Sequence, residues 1–306
     1  MNTSSRHVAW TEFALLGVLA LLWGASYLLT KIAVVEIPPV TLIATRACAA
    51  AIFLYIVLVI QGGKLPRDAT TWRMLLLQSF FNSIGAWTIL AWGQQFVDAG
   101  LASVLNSTSP IFVFLLTILV TRHEATGFLK LVGACIGLLG VVFIVGVDAL
   151  AGLGQQVAGQ VAAIVGAILY AFAAIYGRRF SHLTATAAAL GTMIWAFIVL
   201  IPFSLLFDQP WTLAPSPKAI AATITLGVLC TACALLIYFR LVKTLGSMGV
   251  ASQAYLRAGI GVVLGVVLLD EHITFEVGLG VAAAIFGVAL INIPTGKSQI
   301  ERNLNP

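Results

Sequence analysis

Residues 13–35 read FALLGVLALLWGASYLLTKIAVV, an apolar run interrupted by a single cation, Lys31, near its end. A helix of about 20 apolar residues crosses the hydrocarbon core of a bilayer, so this stretch has the length of a membrane span. Windows of similar length recur at 39–60, 72–94, 99–121, 126–147, 156–177, 184–206, 217–239, 246–269 and 275–292, and together they fill nearly all of the 306 residues. Composition agrees: 60% of residues are hydrophobic and 9% charged, against the ~25% charged of a soluble domain. The mean hydropathy is +1.06. The expected fold class is an all-α polytopic membrane protein with ten transmembrane helices.

The charges sort by side. With the N-terminus placed in the cytoplasm, the inner segments carry Arg6, Lys64, Arg67, Arg73, Arg122, Lys130, Arg178, Arg179, Arg240, Lys243, Lys297 and Arg302, and the outer ones only Lys31 and Lys218. Twelve against two is the bias expected of an even number of crossings with both ends inside. The pI of 9.2 is thus a topology signal. The basic residues are spread over six inner segments and form no continuous groove, which excludes a nucleic-acid partner. Arg6 and His7 followed by Phe13–Trp23 and the small residues Gly24, Ala25 and Ser26 imitate a secretory signal, but the apolar run continues through Val35 and nine spans follow, so the segment is expected to stay.

Chemistry-bearing residues do not converge. Cys48, Cys135, Cys230 and Cys233 lie within apolar spans, and the Cys230-x-x-Cys233 pair has no second pair or histidine beside it, so it reads as small-residue packing. His7, His123, His182 and His272 fall in loops or tails. No metal site, cofactor motif or nucleophile triad can be assembled, and the chain is not expected to be an enzyme.

The second half echoes the first at an offset near 149 residues. Gly100-Leu101-Ala102-Ser103 is matched by Gly249-Val250-Ala251-Ser252; Thr126, Gly133 and Gly140 by Thr274, Gly280 and Gly287; Gly24-Ala25 before Tyr27 by Gly166-Ala167 before Tyr170. Five spans per half is odd, so the second half enters the membrane from the opposite side. The division expected is an N-terminal tail 1–12, a first repeat 13–150, an inverted second repeat 151–293 and a C-terminal tail 294–306. Such pairs hold their substrate near the midplane between the halves. Gly133, Gly137 and Gly140 share one face of the fifth span, and Gly261 and Gly265 are spaced likewise in the ninth; both sets are expected to let helix backbones pack closely.

Trp23-Gly24-Ala25-Ser26 followed by Lys31, the Ser109-Pro110 pair, and the Thr–Gly–Gly pattern of spans five and ten resemble the drug/metabolite transporter superfamily in its EamA-type branch, over residues 10–295. Within that branch the chain most resembles the YddG-type bacterial amino-acid exporters. The resemblance implies a ten-helix exporter of the bacterial inner membrane that moves aromatic and other neutral amino acids outward. One departure stands out: the second repeat has Ala258-Gly259, preceded by Arg257, where such proteins often carry a proline like Pro110. A proline kink is therefore expected in span four and not in span nine.

Polar residues inside spans are costly and so mark a path. Trp23, Ser26, Tyr27 and Thr30 make one face of span one polar and aromatic. Gln78 and Asn82 stack at i,i+4 on span three, with Trp87 about a turn beyond. Asn106 and Pro110 share a face of span four, where the missing N–H of Pro110 frees the carbonyl of Asn106. Gln253 and Arg257 pair at i,i+4 on span nine, with Tyr255 beside them. The candidate substrate-binding set is Trp23, Tyr27, Gln78, Asn82, Asn106, Pro110, Tyr170, Trp195, Tyr255 and Arg257. Trp72 and Trp92, near span ends, read as interfacial anchors. Arg257 at midspan costs ~3 kcal/mol to insert, so it must face the bundle interior; Arg46, a third of the way into span two, is within snorkelling reach of the outer interface and reads as structural.

All eleven acids lie in loops or at span ends. Extruders of cationic drugs that run on protons generally need an embedded acid, which this chain lacks. An embedded cation suits a substrate with a carboxylate, and tryptophan and tyrosine faces suit an aromatic side chain. The expected partners are small neutral or aromatic amino acids and the lipid bilayer, and the expected mode is facilitated diffusion. A sugar-phosphate, nucleotide-sugar or drug carrier of the same fold is the alternative. A phosphate substrate would want several midspan cations, and Arg257 alone meets that requirement. A channel would need a ring of carbonyls or charges, which one arginine in a two-fold repeat does not supply.

Overall fold

The computed structural model describes residues 3–93, 95–96, 104–121, 127–145, 156–257, 260 and 275–293. Among them there is no strand. Seven helices have the length and apolarity to cross a membrane: α1 (Thr3–Val34), α2 (Pro39–Ile60), α3 (Ala69–Gly93), α6 (Val157–Phe180), α7 (Ala185–Asp208), α8 (Pro217–Thr244) and α10 (Phe275–Asn292). Two shorter apolar helices, α4 (Val104–Leu119) and α5 (Phe128–Val145), stand among them. Of the ninth span, the helix α9 (Gly246–Ala251) and the helical residues 253–257 are described. The predicted packing positions Gly261 and Gly265 lie outside the described residues, as does most of that span.

Local chemistry sets the helix starts. Asp68 caps α3 by accepting the Thr71 N–H at 2.7 Å, Thr184 caps α7 through Ala187, and Ser216 caps α8 through Ala219. Each side-chain oxygen satisfies one of the donors that a helix leaves open. Pro39 and Pro217 occupy the first helical turns of α2 and α8, where a missing N–H costs nothing. Asp208, at the far end of α7, accepts the Thr41 N–H at 2.8 Å and the Thr41 hydroxyl at 2.7 Å, and so holds the first turn of α2.

The helices are not uniform. Single π turns interrupt them at Phe80–Ile84 in α3, Thr117–Thr121 at the end of α4, Ser204–Asp208 in α7 and Val228–Cys233 in α8. The turns in α3 and α8 sit near the middle of their helices and begin 148 residues apart. A π turn slips the i→i−4 ladder by one residue and swings carbonyls off the helix axis, which is why such turns gather at functional sites. Span four is broken at Ser107-Thr108, and Pro110 opens the helix that follows. Span nine also breaks, at Ser252, whose hydroxyl donates to the Gly249 carbonyl at 2.6 Å and accepts from Asn292 at 3.2 Å. A serine that turns its hydroxyl onto its own helix thus interrupts span nine without a proline.

Side-by-side packing joins α5 to α10, α2 to α7, α1 to α8, α3 to α6, and α4 to α6. Large apolar side chains such as Ile52, Ile56, Leu77, Ile198, Leu206 and Ile285 point outward, as lipid-facing residues do, while the buried core runs through the centre of the bundle. The α5–α10 pair is the tightest approach. A Cβ on Gly287 would lie 2.5 Å from the Gly133 carbonyl oxygen and 2.6 Å from the Gly137 nitrogen; one on Gly140 would lie 2.6 Å from the Ala284 nitrogen. The glycines are required there because the two backbones touch.

Candidate functional site

Two adjoining chambers open in the middle of the bundle. The first, with a cavity volume of about 40 Å³, is walled by Trp23, Ser26 and Thr30 of α1, Ile43 and Arg46 of α2, Trp87, Leu90 and Ala91 of α3, Tyr170 of α6, and Arg257. The second, about 20 Å³, is walled by Trp23, Asn82, Ser109, Tyr170, Ala174, Tyr238, Val250, Ala251, Gln253 and Arg257. We call them the arginine chamber and the amide chamber. Three residues belong to both: Trp23, Tyr170 and Arg257. They form the waist between the two spaces.

Trp23 is placed by close packing. Gly24 brings α1 against the span-nine backbone, where a Cβ would be 3.7 Å from the Arg257 carbonyl oxygen, and this sets Trp23 beside Arg257. The Trp23 ring lies 5.6 Å from that of Tyr238 at a 45° tilt. Its indole N–H is buried and has no acceptor among the described residues. Asn82 stands in the π turn of α3, 1% exposed, with both ends of its amide buried and without a protein partner among the described residues; the side-chain oxygen of Gln253 is in the same condition. Buried amides are normally satisfied, so these atoms are polar groups held ready for a ligand or water.

Arg46 corrects the sequence reading. It does not snorkel to the interface: it is 5% exposed and lines the arginine chamber. Its guanidinium lies 3.9 Å over the Trp87 ring, its Nε donates to the Thr231 hydroxyl, and one Nη donates to the Cys230 carbonyl at 3.5 Å. The π turn of α8 supplies both acceptors, and Thr231 donates its own proton back to Leu226 at 2.8 Å. Gly227 makes the approach possible, since a Cβ there would be 2.8 Å from the Arg46 carbonyl oxygen. Snorkelling is favoured when the interface is the nearest polar environment; here the π turn and the tryptophan face are nearer.

Of the ten predicted site residues, Trp23, Asn82, Tyr170 and Arg257 stand on the walls. Asn106 and Pro110 are buried in α4, next to Ser109, which reaches the wall. Gln78 is fully buried behind the amide chamber and donates to the Ala173 carbonyl at 3.2 Å. Trp195 is off both walls: its N–H donates to the Trp72 carbonyl at 2.9 Å and its ring meets that of Trp72 edge-on. Trp72, expected as an interfacial anchor, is half-buried and donates to the Pro66 carbonyl. Tyr255 is off the walls too, with its ring filling the notch left by Gly137 and its hydroxyl donating to the Ala134 carbonyl at 2.9 Å. Of Tyr27 only the backbone, in α1, is described. Sequence reasoning passed over Tyr238 entirely; a tyrosine following a C-x-x-C in an apolar run carries no depth signal of its own.

Among the described residues no acid lines either chamber, and no group of three potential metal ligands occurs. Glu12 is buried at the start of α1, but it is engaged elsewhere, with Arg240 at 2.8 Å and the Thr244 hydroxyl at 2.8 Å, which ties α1 to the end of α8.

A bundle with apolar side chains outward and a polar, aromatic hollow within is a multi-pass membrane protein built around a path for small molecules. The model of the EamA-like transporter family matches residues 11–146 and 157–293, and the chain belongs to that family. It is 27% identical over 281 residues to the uncharacterized inner membrane transporter YedA of Escherichia coli (strain K12), covering 92% of this chain and 90% of that protein. It is 30% identical over 287 residues to an uncharacterized transporter of Archaeoglobus fulgidus, covering 90% and 95%, and 24% identical over 289 residues to the uncharacterized transporter YoaV of Bacillus subtilis (strain 168), covering 94% and 99%. A solved crystal structure superposes with a TM-score of 0.77 at 17% identity, over 92% of this chain and 97% of its own. That likeness is one of fold. The protein is a transporter.

Proposed function

We propose that this transporter exports neutral and aromatic amino acids across the bacterial inner membrane by alternating access between two inverted repeats of five helices, 13–150 and 151–293, with both termini in the cytoplasm. The carrying observation is the waist, where Arg257, Trp23 and Tyr170 line both chambers, beside the Asn82 amide and the Gln253 side-chain oxygen, which are buried without a partner among the described residues. A substrate carboxylate pairs with the guanidinium, the ammonium is received by the amide oxygens, and an apolar side chain lies against the rings.

The architecture has its own support. Each half packs on the other in register: α2 with α7, α5 with α10, and α1–α8 mirrored by α6–α3. The family model matches two stretches of nearly equal length, and π turns recur in the third helix of each half. Twelve cations against two favour cytoplasmic termini. The chamber walls carry no acid among the described residues, and on that basis we read transport as facilitated diffusion down the substrate gradient.

The test is uptake of labelled phenylalanine, methionine and threonine into proteoliposomes, with and without an imposed pH gradient. Saturable uptake that ignores the gradient is expected. Strict dependence on the gradient would overturn the facilitative mode, and no uptake of any of the three by folded protein would overturn the amino-acid reading. A phosphorylated-sugar substrate is the second reading, favoured by one observation: Arg46 gives the arginine chamber a second cation.

A further inference from the structure

We propose that Arg46 is a second carboxylate-binding station, so that this carrier takes small substrates with two carboxylates, acidic amino acids among them, more tightly than their neutral counterparts. The proposal deepens the amino-acid reading of the same site and rests on it.

Four observations carry it. Every contact of Arg46 among the described residues is with a neutral group: the Thr231 hydroxyl, the Cys230 carbonyl and the Trp87 ring. These order the side chain, but none of them cancels its charge. Only two of the five N–H groups of a guanidinium find acceptors among the described residues. The Trp87 ring covers one face of the guanidinium plane, whereas carboxylates are received along its edge, in the plane, so the stacking leaves the binding edge available. Finally, the arginine chamber holds two cations and no acid among its walls. A zwitterion whose single carboxylate pairs with Arg257 brings no second anion to Arg46, whereas a dicarboxylate does.

The placement of the two arginines argues for two separated carboxylates over one phosphate. Arg257 faces both chambers, whereas Arg46 faces only the arginine chamber. Two stations on different helices, one at the waist and one beyond it, fit anionic groups at the two ends of a short carbon chain. During export the far carboxylate engages Arg46 as the near one remains on Arg257.

The experiment compares isosteres that differ in charge: L-glutamate against L-glutamine, with succinate and glycerol 3-phosphate as further probes, titrated against the full-length purified protein by intrinsic tryptophan fluorescence and by uptake in proteoliposomes. Wild-type protein is expected to bind glutamate about tenfold more tightly than glutamine, the scale of one charge-assisted contact. Arg46→Gln should erase that difference, and Arg46→Lys should retain part of it. The wild-type ratio is informative without any variant having to fold: glutamate binding no more tightly than glutamine overturns the proposal. So does a ratio unchanged in folded Arg46→Gln, or glycerol 3-phosphate outcompeting both dicarboxylates by tenfold or more, which would favour the phosphate reading. If neither amino acid is bound but succinate is, in an Arg46-dependent manner, the amino-acid reading fails and the carboxylate station stands.

Discussion

Two helix crossings in this molecule depend on glycine for close approach and come to opposite ends. At the α5–α10 seam, Gly133, Gly140, Gly280 and Gly287 bring two apolar helices into backbone contact, with no polar side chain presented between those glycines. At the α2–α8 crossing, Gly227 does the same geometric work, but its own helix carries a π turn, and what is brought close to α2 is a displaced carbonyl and a threonine hydroxyl that receive Arg46. Close packing in a bilayer lacks a hydrophobic force between helices and runs on van der Waals contact; the seam is that and nothing more. The crossing uses the same contact to stabilise a buried charge. The difference lies in what the neighbouring backbone offers, a regular ladder or a broken one.

The comparison breaks most readily at Arg257. Replacing it with alanine is expected to lower transport about 10- to 100-fold, the worth of one charged hydrogen-bonded contact, while the melting temperature in detergent moves little; a large fall in stability with the surviving protein fully active would make it a structural residue. Next in size is the seam. Gly287→Ala places a methyl 2.5 Å from the Gly133 carbonyl oxygen, and overpacking of that kind costs about 1–3 kcal/mol. A lower melting temperature with an unchanged substrate ranking is expected. A changed ranking with unchanged stability would mean that the seam belongs to the moving part of the mechanism. Trp23→Ala should have a smaller effect, a loss of the preference for aromatic over aliphatic substrates by about two- to tenfold, corresponding to ~0.5–1.5 kcal/mol of ring contact. Equal loss for phenylalanine and threonine would remove stacking from the account.

The contrast also explains what the sequence revealed. The seam was legible because its signal is local: Gly133, Gly137 and Gly140 recur at i, i+4 and i+7, and helical periodicity puts them on one face. Arg257 drew attention in the sequence because its cost is set by depth alone. Arg46 was misread because its partners, Cys230 and Thr231, are 184 and 185 residues away in the chain, and a π turn leaves no mark in hydropathy. Trp195 and Tyr255 were over-read for the same reason. A midspan aromatic fits a binding wall or a packing notch equally well, and only the tertiary partner decides: the Trp72 carbonyl for the first, the space over Gly137 for the second. Tyr255 therefore makes Gly137 different from its neighbours, since it meets a side chain where Gly133 and Gly140 meet backbone.

The smallest expected effect lies outside the bilayer, where the α1–α8 pair can be compared end to end. At one end Glu12 is buried and paired with Arg240; at the other Glu36, in the exposed turn after α1, accepts from the Ser216 N–H at 2.6 Å and from its hydroxyl at 2.8 Å. The Ser216 backbone bond, then the Ser216 hydroxyl and more weakly Lys218, hold the Glu36 carboxyl below its ordinary pKa, against a small opposing effect of desolvation. A group whose pKa is depressed on folding contributes stability that is complete above its unfolded pKa and is lost as pH falls through the folded one. The clasp is therefore constant near neutrality and weakens only in acid, below the usual carboxylate range. Because Glu36 is exposed and screened by water, the contribution is small. Glu36→Gln should lower the melting temperature slightly at neutral pH, and the difference from the unaltered protein should close on acidification. A gap that stays constant down to strong acid would mean that Glu36 acts through packing and not through its charge.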